Sequence, residues 1–404
     1  MAMMPLDDAR RLVFEACPAR APVRAPSDDA LGCVVAEAVV AAEAVPPFAN
    51  SAVDGYAVRV ADVTTVPVEL PVRATVAAGD AGDRPLAPGE AIRVMTGAPL
   101  PPGTEAVVMV ENTERLDGGE RVRLNATVPA GAAVRNAGSD VAIGDEVLPA
   151  GTVVRPAHLG VLASIGAADI VIVPRLRVGV LSTGDELVEA GRPLGPGQIR
   201  ESNKPMLLAL VAQANAIPVD LGIAPDDEDA LVAALEHAGA TCDAVVTSGG
   251  VSMGDFDVVK LVLDRVGKMH WLQIAIKPAK PFAFGLLTSG TPLFGLPGNP
   301  VSSMVSFELL ARPALRQMMG HTVIDRPRVT AVADEALGRR PDGKTHFVRV
   351  RTRFAADGRV HVTSTGGQGS HQLAATAGAD GLAVVPDGDG VTKGGEVEVL
   401  LFSS

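Results

Sequence analysis

The sequence predicts a multidomain α/β-plus-β protein: a doubly wound α/β domain carrying an inserted β domain and followed by a C-terminal β domain. Between Pro174 and Met319, short apolar runs alternate with helix-patterned segments, the βαβ order that calls for a parallel sheet with right-handed crossovers. From Pro47 to Val141, Val-rich runs alternate with Gly-Asp, Pro-Pro-Gly and Asp-Gly-Gly turns, and strand-like runs return after Gly320. With 404 residues, 47% of them hydrophobic, the chain can build more than one core. The expected division is residues 1–16 with 175–323 for the α/β domain, 17–46 with 142–174 for an N-terminal linker and β region, 47–141 for the insert, and 324–404 for the C-terminal β domain.

In chain order, Leu6 to Ala16 has helical spacing, with Leu6, Leu12, Val13 and Phe14 as core candidates. Pro18, Pro22 and Pro26 then impose extended chain. A second patterned segment, Ala30 to Val45, stops at Pro46 and Pro47. In the insert, Val66 to Val76 and Ala106 to Val110 read as strands. PFANSAVDGYA, from Pro47, crowds Asn50, Ser51, Asp54, Gly55 and the single tyrosine, Tyr56, together; an Asp-Gly turn beside a packed tyrosine is the plainer reading. Thr96 and Gly97 open a proline-rich loop that leads into the next strand. Arg135 suits an oxyanion clamp and Asp140 a metal or proton-handling carboxylate, and a surface ion pair suits them equally.

The α/β segment reads as strand Val178–Leu181, helix Asn203–Asn215, strand Ile217–Ile223, helix Asp229–Ala238, strand Ala244–Thr247, helix Asp257–Val266, strand Leu293–Gly295 and helix Val301–Met319. Two strand ends attract chemistry. DAVVTSGGVSMGDFDVVK places Ser248, Gly249, Gly250 and Ser252 ahead of Asp255 and Asp257; RVGVLSTGDEL places Thr183, Gly184, Asp185 and Glu186 after its apolar run. Glycines let a ligand approach the backbone, and N–H groups at a helix start favour anions. Carboxylates beside an anion call for a cation such as Mg²⁺ between them. Turns and helix caps are the alternatives for each loop alone, but two of them at strand C-terminal ends meet where α/β sheets place ligands. Asp226, Asp227 and Glu228 read as a helix cap within reach of that cleft. IKPAKPFAF reads as a stiff loop presenting Lys277 and Lys280, a cationic wall for phosphate or a solvated pair. LPGNP, with Pro297, Gly298, Asn299 and Pro300, joins a strand to a helix start and suits either an anion or a stiff turn. After Gly320, Val329–Ala333, Phe347–Phe354 and Val397–Phe402 are strand-like, and Gly366 to His371 form a flexible polar loop.

The net charge of −12 and the single Trp and single Tyr argue against a nucleic-acid partner. Cys17, Cys33 and Cys242 are odd in number and far apart, so they read as buried small hydrophobes rather than as a disulfide or zinc framework. His346 and His371 lack metal-ligand spacing. No membrane-spanning stretch or signal peptide is seen, and a cytoplasmic location is expected.

Taken in order, PFANSAVDGYA, TGAPLPPGTEAVVMVE, LSTGDEL, TSGGVSMGDFD, IKPAKPFAFG, GLPGNPVS and GGQGSH resemble MoeA-type molybdopterin molybdenumtransferases, the family that includes the gephyrin E domain. The resemblance spans nearly the whole chain. It implies a four-part elongated homodimer with a MogA-like α/β domain, and an active cleft between that domain of one subunit and the inserted domain of the other. It implies an enzyme that takes adenylylated molybdopterin and molybdate, hydrolyses the adenylate with Mg²⁺, places molybdenum on the dithiolene and releases AMP, in the last step of molybdenum cofactor biosynthesis. Contact with a MogA-type adenylyltransferase and with apo-molybdoenzymes would follow. By motif position, the candidate catalytic residues are Asp54, Thr96, Arg135, Asp140, Glu186 and Asp257. The substrate-binding candidates are Gly184, Asp226, Ser248, Gly249, Gly250, Ser252, Lys277, Lys280, Pro297, Gly298, Asn299, Pro300 and Ser370. Glu186 and Asp257 would bind the metal or position water, and Lys277, Arg135 and Ser370 would hold anionic oxygens. The family usually has Gly where this chain has Ala279, and often Lys where it has Gln273.

Overall fold

The computed structural model describes residues 3–249 and 258–402. The chain forms two compact units: Met1–Val23, Gly32–Ala36 and Ile172–Ser404 make one, and Arg24–Leu31 with Glu37–Val171 make the other.

The first unit holds a six-stranded sheet of β1 (Arg177–Thr183), β2 (Ile217–Ala224), β3 (Ala244–Ser248), β4 (Gly267–Gln273), β5 (Pro281–Leu287) and β6 (Pro292–Leu296). Its spatial order is β2-β1-β3-β6-β5-β4. β2, β1, β3 and β6 run parallel, whereas β5 and β4 extend the sheet antiparallel. The parallel core follows the expected alternation; the antiparallel edge does not. IKPAKPFAF, expected as a loop, divides into the short strand Ile276–Lys277 and the start of β5. Pro281 is tolerated there because it occupies the first residue of the strand, and Phe282 and Phe284 then alternate into the core.

The strands bury both faces, which explains their near-continuous apolar runs. Val178 and Val180, Ala244 and Val246, and Phe294 and Leu296 point to one face. There they meet Ala9 and Val13 of α1 (Leu6–Glu15) and Leu207, Leu210 and Val211 of α2 (Asn203–Gln213). Leu181, Val245 and Leu293 point to the other face. They pack on Leu231, Leu235 and Ala238 of α3 (Glu228–Thr241) and on Val262, Leu263 and Val266 of α4 (Val258–Val266). Two-residue alternation against helices on both sides is the doubly wound arrangement. All parallel strand ends that carry ligand-type loops therefore emerge at one edge.

The helix after β6 runs through residues 300–318 with a π turn at Phe307–Ala311. That turn carries Glu308, which is buried and accepts from Arg326 Nε at 2.9 Å and Nη2 at 2.8 Å. Downstream, Thr345–Phe354, Val360–Ser364, Arg328–Ala333, Glu396–Leu401 and Gly381–Val385 pair in a ring that closes through Thr345–Phe354 and Gly381–Val385. Closure leaves none of these five strands with an open edge. All three cysteines are buried. No helix among the described residues is long and apolar enough to cross a membrane.

The second unit contains a six-stranded sheet ordered Ala106–Met109, Gly55–Val58, Ala91–Val94, Val68–Val76, Arg121–Leu124 and Thr113–Leu116. Tyr56 is fully enclosed beside Val58, Val108 and Leu124, so its aromatic ring is core rather than surface. The patterned segment from Ala30 to Val45 contains two short strands, Val34–Val35 and Val39–Val40.

His321 follows the 300–318 helix, buried beside Arg316 and Arg312. Burial first, and the two guanidinium charges second, push its pKa from 6.5 to about 4. An unfolded chain takes up that proton earlier, so stability should fall as pH drops from 6.5 to about 4 and level off below. Urea midpoints across that window should show a shallower acid limb for His321→Asn than for the unchanged chain.

Candidate functional site

At the sheet edge, three loops are forced together by backbone geometry. β1 ends at Thr183, and Gly184 turns the chain at φ 140°. The Gly184 N–H donates to Ala224 O at 3.3 Å, and the Asp226 N–H donates to Asp185 Oδ1 at 3.1 Å, so the first acidic loop lies against the end of β2. Gly249, after β3, has φ 106° and donates its N–H to Leu296 O at 3.1 Å. A Cβ on Gly249 would sit 2.8 Å from Thr183 Oγ1 and 2.9 Å from Thr183 O; only glycine fits. A Cβ on Gly298 would lie 3.8 Å from the Gly249 Cα. Thr183, Gly249 and Gly298 therefore belong to one junction.

Asn203, in the first turn of α2, ties this junction from beneath. Its Nδ2 donates to Ser248 Oγ and to Gly298 O, both at 2.7 Å. The neighbouring Lys204 is buried and reaches Glu189 at 3.2 Å and Asp220 at 3.1 Å. Burial disfavours the ammonium, but the hydrogen bonds to Asp220 and Glu189 outweigh it and hold the pKa above its ordinary value. Glu189 lies on the two-stranded ribbon of Leu187–Val188 and Ile199–Arg200. Between this ribbon and β2 opens a cavity of about 700 Å³ whose lining includes Gly184, Asp185, Glu189, Arg192 and Ile223.

Two further segments of this unit carry predicted residues. Lys277 and Lys280 are exposed, flanking buried Ala279, which has φ 78°. Ser370 lies where the Gly366–His371 loop meets the helix following β6: its carbonyl accepts from Val301 N–H at 3.1 Å. The loop is less free than its composition suggests. Arg349, with no exposed surface, donates from Nη2 to Gly367 O at 2.7 Å and Gly369 O at 3.3 Å, while its N–H donates to Gln368 Oε1 at 3.0 Å. Burial lowers the Arg349 pKa.

In the second unit, Asn50–Ser51 pairs antiparallel with Val134–Arg135. The Gly97 N–H donates to Ser51 O at 2.8 Å. Asp54 accepts from Thr96 twice, from its N–H at 2.7 Å and its hydroxyl at 2.8 Å. These two bonds, chiefly the backbone one, hold the Asp54 carboxyl below its ordinary pKa, with Arg93 adding a smaller attraction. Backbone pairing thus sets the Arg135 and Thr96–Gly97 segments beside Asn50–Ser51, and Asp54 is hydrogen-bonded to Thr96 within a bend that leads to the core-packed Tyr56, the arrangement the turn reading describes. Asp140 is exposed and positioned through its backbone, whose N–H donates to Val45 O at 3.0 Å.

Of the predicted residues in the first unit, Gly249 and Gly298 meet directly, Ser248 is linked to Gly298 through Asn203, and Gly184 follows Thr183, which faces Gly249; Pro297, Asn299 and Pro300 share the loop of Gly298. Glu186 is exposed just beyond Gly184. Asp226 is tied to Asp185, whereas Asp227 caps α3 by accepting from Ala230 N–H at 2.9 Å. Gly250, Ser252 and Asp257 lie outside the described residues. Among the described residues, no group of three or more His, Cys, Asp or Glu side chains could hold a metal ion. Sequence reasoning missed Asn203, Lys204 and Arg349; a polar Asn-Lys pair opening an otherwise apolar helix was the available signal for the first two.

Three family descriptions match the chain: MoeA N-terminal region (domain I and II) over residues 4–166, probable molybdopterin binding domain over 179–317, and MoeA C-terminal region (domain IV) over 335–402. Molybdopterin molybdenumtransferase 2 of Mycobacterium tuberculosis is 41% identical over 95% of this chain and 96% of its own. The molybdopterin molybdenumtransferase of Haemophilus influenzae is 37% identical over 98% of each. That of Bacillus subtilis is 33% identical over 93% of this chain and 88% of its own. Among solved structures, a molybdopterin biosynthesis MoeA protein from Pyrococcus horikoshii superposes with a TM-score of 0.79 at 29% identity, covering 100% of both chains.

Two outcomes follow from the site geometry. Thr96→Val removes the hydroxyl donor and keeps the backbone one, so the Asp54 carboxyl should titrate at higher pH, read by carbon NMR of its side-chain carboxyl. Ala279→Gly relieves a left-handed backbone that costs a side-chain-bearing residue about 1–2 kcal/mol. Offset by the unfolded-state entropy of glycine and by loss of a buried methyl worth about 0.8 kcal/mol, it should change the unfolding free energy by less than about 1 kcal/mol, well short of an ordinary core truncation, read by urea titration.

Proposed function

The chain belongs to the MoeA family, and on that premise we propose that it is a molybdopterin molybdenumtransferase. In this reading it takes adenylylated molybdopterin and molybdate, cleaves the adenylate, places molybdenum on the dithiolene and releases AMP. The observation that carries the reading is the junction of Thr183, Gly249 and Gly298, where a Cβ at position 249 is excluded and three strand-end loops present backbone at one edge. Such an edge suits a phosphate-bearing ligand. Lys277, Lys280, Arg135 and Ser370 are proposed to hold anionic oxygens, with Asp54, Thr96 and Asp140 as further catalytic candidates.

Mg²⁺ is the proposed cofactor. Such a cation takes one or two carboxylates and completes its shell with substrate phosphate oxygens and water. Glu186 and Asp257 would be those carboxylates, and the bound cation would neutralise phosphate charge. A homodimer in the cytoplasm, supplied by a MogA-type adenylyltransferase and delivering to apo-molybdoenzymes, completes the proposal. So does the four-part division at residues 1–16 with 175–323, 17–46 with 142–174, 47–141 and 324–404; the separate apolar cores around Tyr56 and around Val350 support at least its insert and C-terminal part.

The test is turnover of the purified chain with adenylylated molybdopterin, molybdate and Mg²⁺, following AMP release and reconstitution of an apo-molybdoenzyme. Molybdate-dependent AMP release with reconstitution is expected. Release without reconstitution would instead indicate a nucleotide hydrolase, and neither signal from folded protein would overturn the enzymatic reading. Glu186→Gln and Asp257→Asn should each lower turnover about a hundredfold or more while leaving the fold intact; near-normal turnover in Asp257→Asn would refute its role.

A further inference from the structure

Among the described residues, Asn203 is the one side chain that bridges the β3 and β6 strand ends from a third element. It is 8% exposed. One amide hydrogen goes to Ser248 Oγ and the other to Gly298 O, both at 2.7 Å. A carbonyl oxygen can only accept, so the Gly298 contact fixes which end of the amide carries the nitrogen. A serine hydroxyl that accepts from an amide keeps its own hydrogen to give elsewhere. The two loops also touch through Gly249, whose N–H reaches Leu296 O at 3.1 Å and whose Cα lies 3.8 Å from the position of a Cβ on Gly298.

We propose that Asn203 is a positioning residue: its two donors set the spacing of the Ser248–Gly249 and Pro297–Gly298 loops and orient the Ser248 hydroxyl as a donor toward an anionic oxygen of the ligand. This rests on the function proposed above for the choice of ligand, but not for the geometry. Neither Asp nor Ser supplies both donors. Aspartate has the same shape but no N–H, and would place a carboxylate against the Gly298 carbonyl. Serine is too short to span both loops.

The experiment compares the unchanged chain with Asn203→Asp and Asn203→Ser, using AMP as the probe in calorimetry and amide hydrogen exchange at Gly249 as the ligand-free readout. Leu231→Ala, a core change on the opposite face of the sheet, serves as the control for general destabilisation. In both Asn203 variants the AMP Kd should rise about tenfold or more, the effect of losing a buried hydrogen-bond donor. Gly249 exchange should quicken by a similar factor beyond that in Leu231→Ala. Unchanged Kd and exchange in a folded Asn203 variant, or changes no larger than those of Leu231→Ala, would overturn the proposal. If the unchanged chain binds no AMP, the functional reading fails, and Gly249 exchange alone decides the positioning role. If Asn203→Asp does not fold, Asn203→Ser decides by the same two readouts.

Discussion

The close approach of backbone at Gly249 is the constraint on which the first unit's site depends. The β1 and β3 ends can lie this near because position 249 carries no Cβ; one would fall within 2.9 Å of Thr183 O. The parallel pairing of β1, β3 and β6 brings all three strand ends to one level. Helices on both faces then leave that edge as the place where loops can open to a ligand. The apolar alternation along the strands and the glycine at their end are thus parts of one arrangement, the first supplying rigidity and the second proximity.

Polar anchoring completes what the glycines allow. The first turn of α2 works in two directions: Asn203 binds the β3 and β6 loops, and Lys204 binds Glu189 of the ribbon and Asp220 of β2. Burying such groups is costly where their hydrogen-bonding capacity is unmet, as at Asn203 Oδ1 and Arg349 Nε and Nη1; the partners they do have come from loops that would otherwise be held only at their ends. Arg349 acts similarly on the Gly366–His371 segment, gripping two carbonyls so that Ser370 reaches the start of the helix after β6. Within the second unit, the paired hydrogen bonds from Thr96 to Asp54 perform the corresponding task for PFANSAVDGYA.

Much of this was legible in the chain. The βαβ alternation, the β texture of residues 47–141, and the glycine loops after β1 and β3 all followed from apolar periodicity and breaker residues, because those signals are local. The antiparallel edge was not legible. Gly267–Gln273 mixes Lys268, His270 and Trp271 on an edge strand, and the prolines of IKPAKPFAF mask the start of β5. The edge strand does alternate in burial, but over a short run that follows α4 directly, so it does not stand apart from the helix pattern.

The sequence by itself determined which loops carry glycine, proline, lysine and carboxylate, and their ordered motifs were enough to indicate the family. Tertiary structure alone decided which of them share a junction. Asn203 is 45 residues from Ser248 and 95 from Gly298, and Arg10 binds Asp325 from 315 residues away. Hydrogen-bond partners so far apart leave no spacing to read, since their proximity is created only when the sheet stacks its strands and the helices close over it.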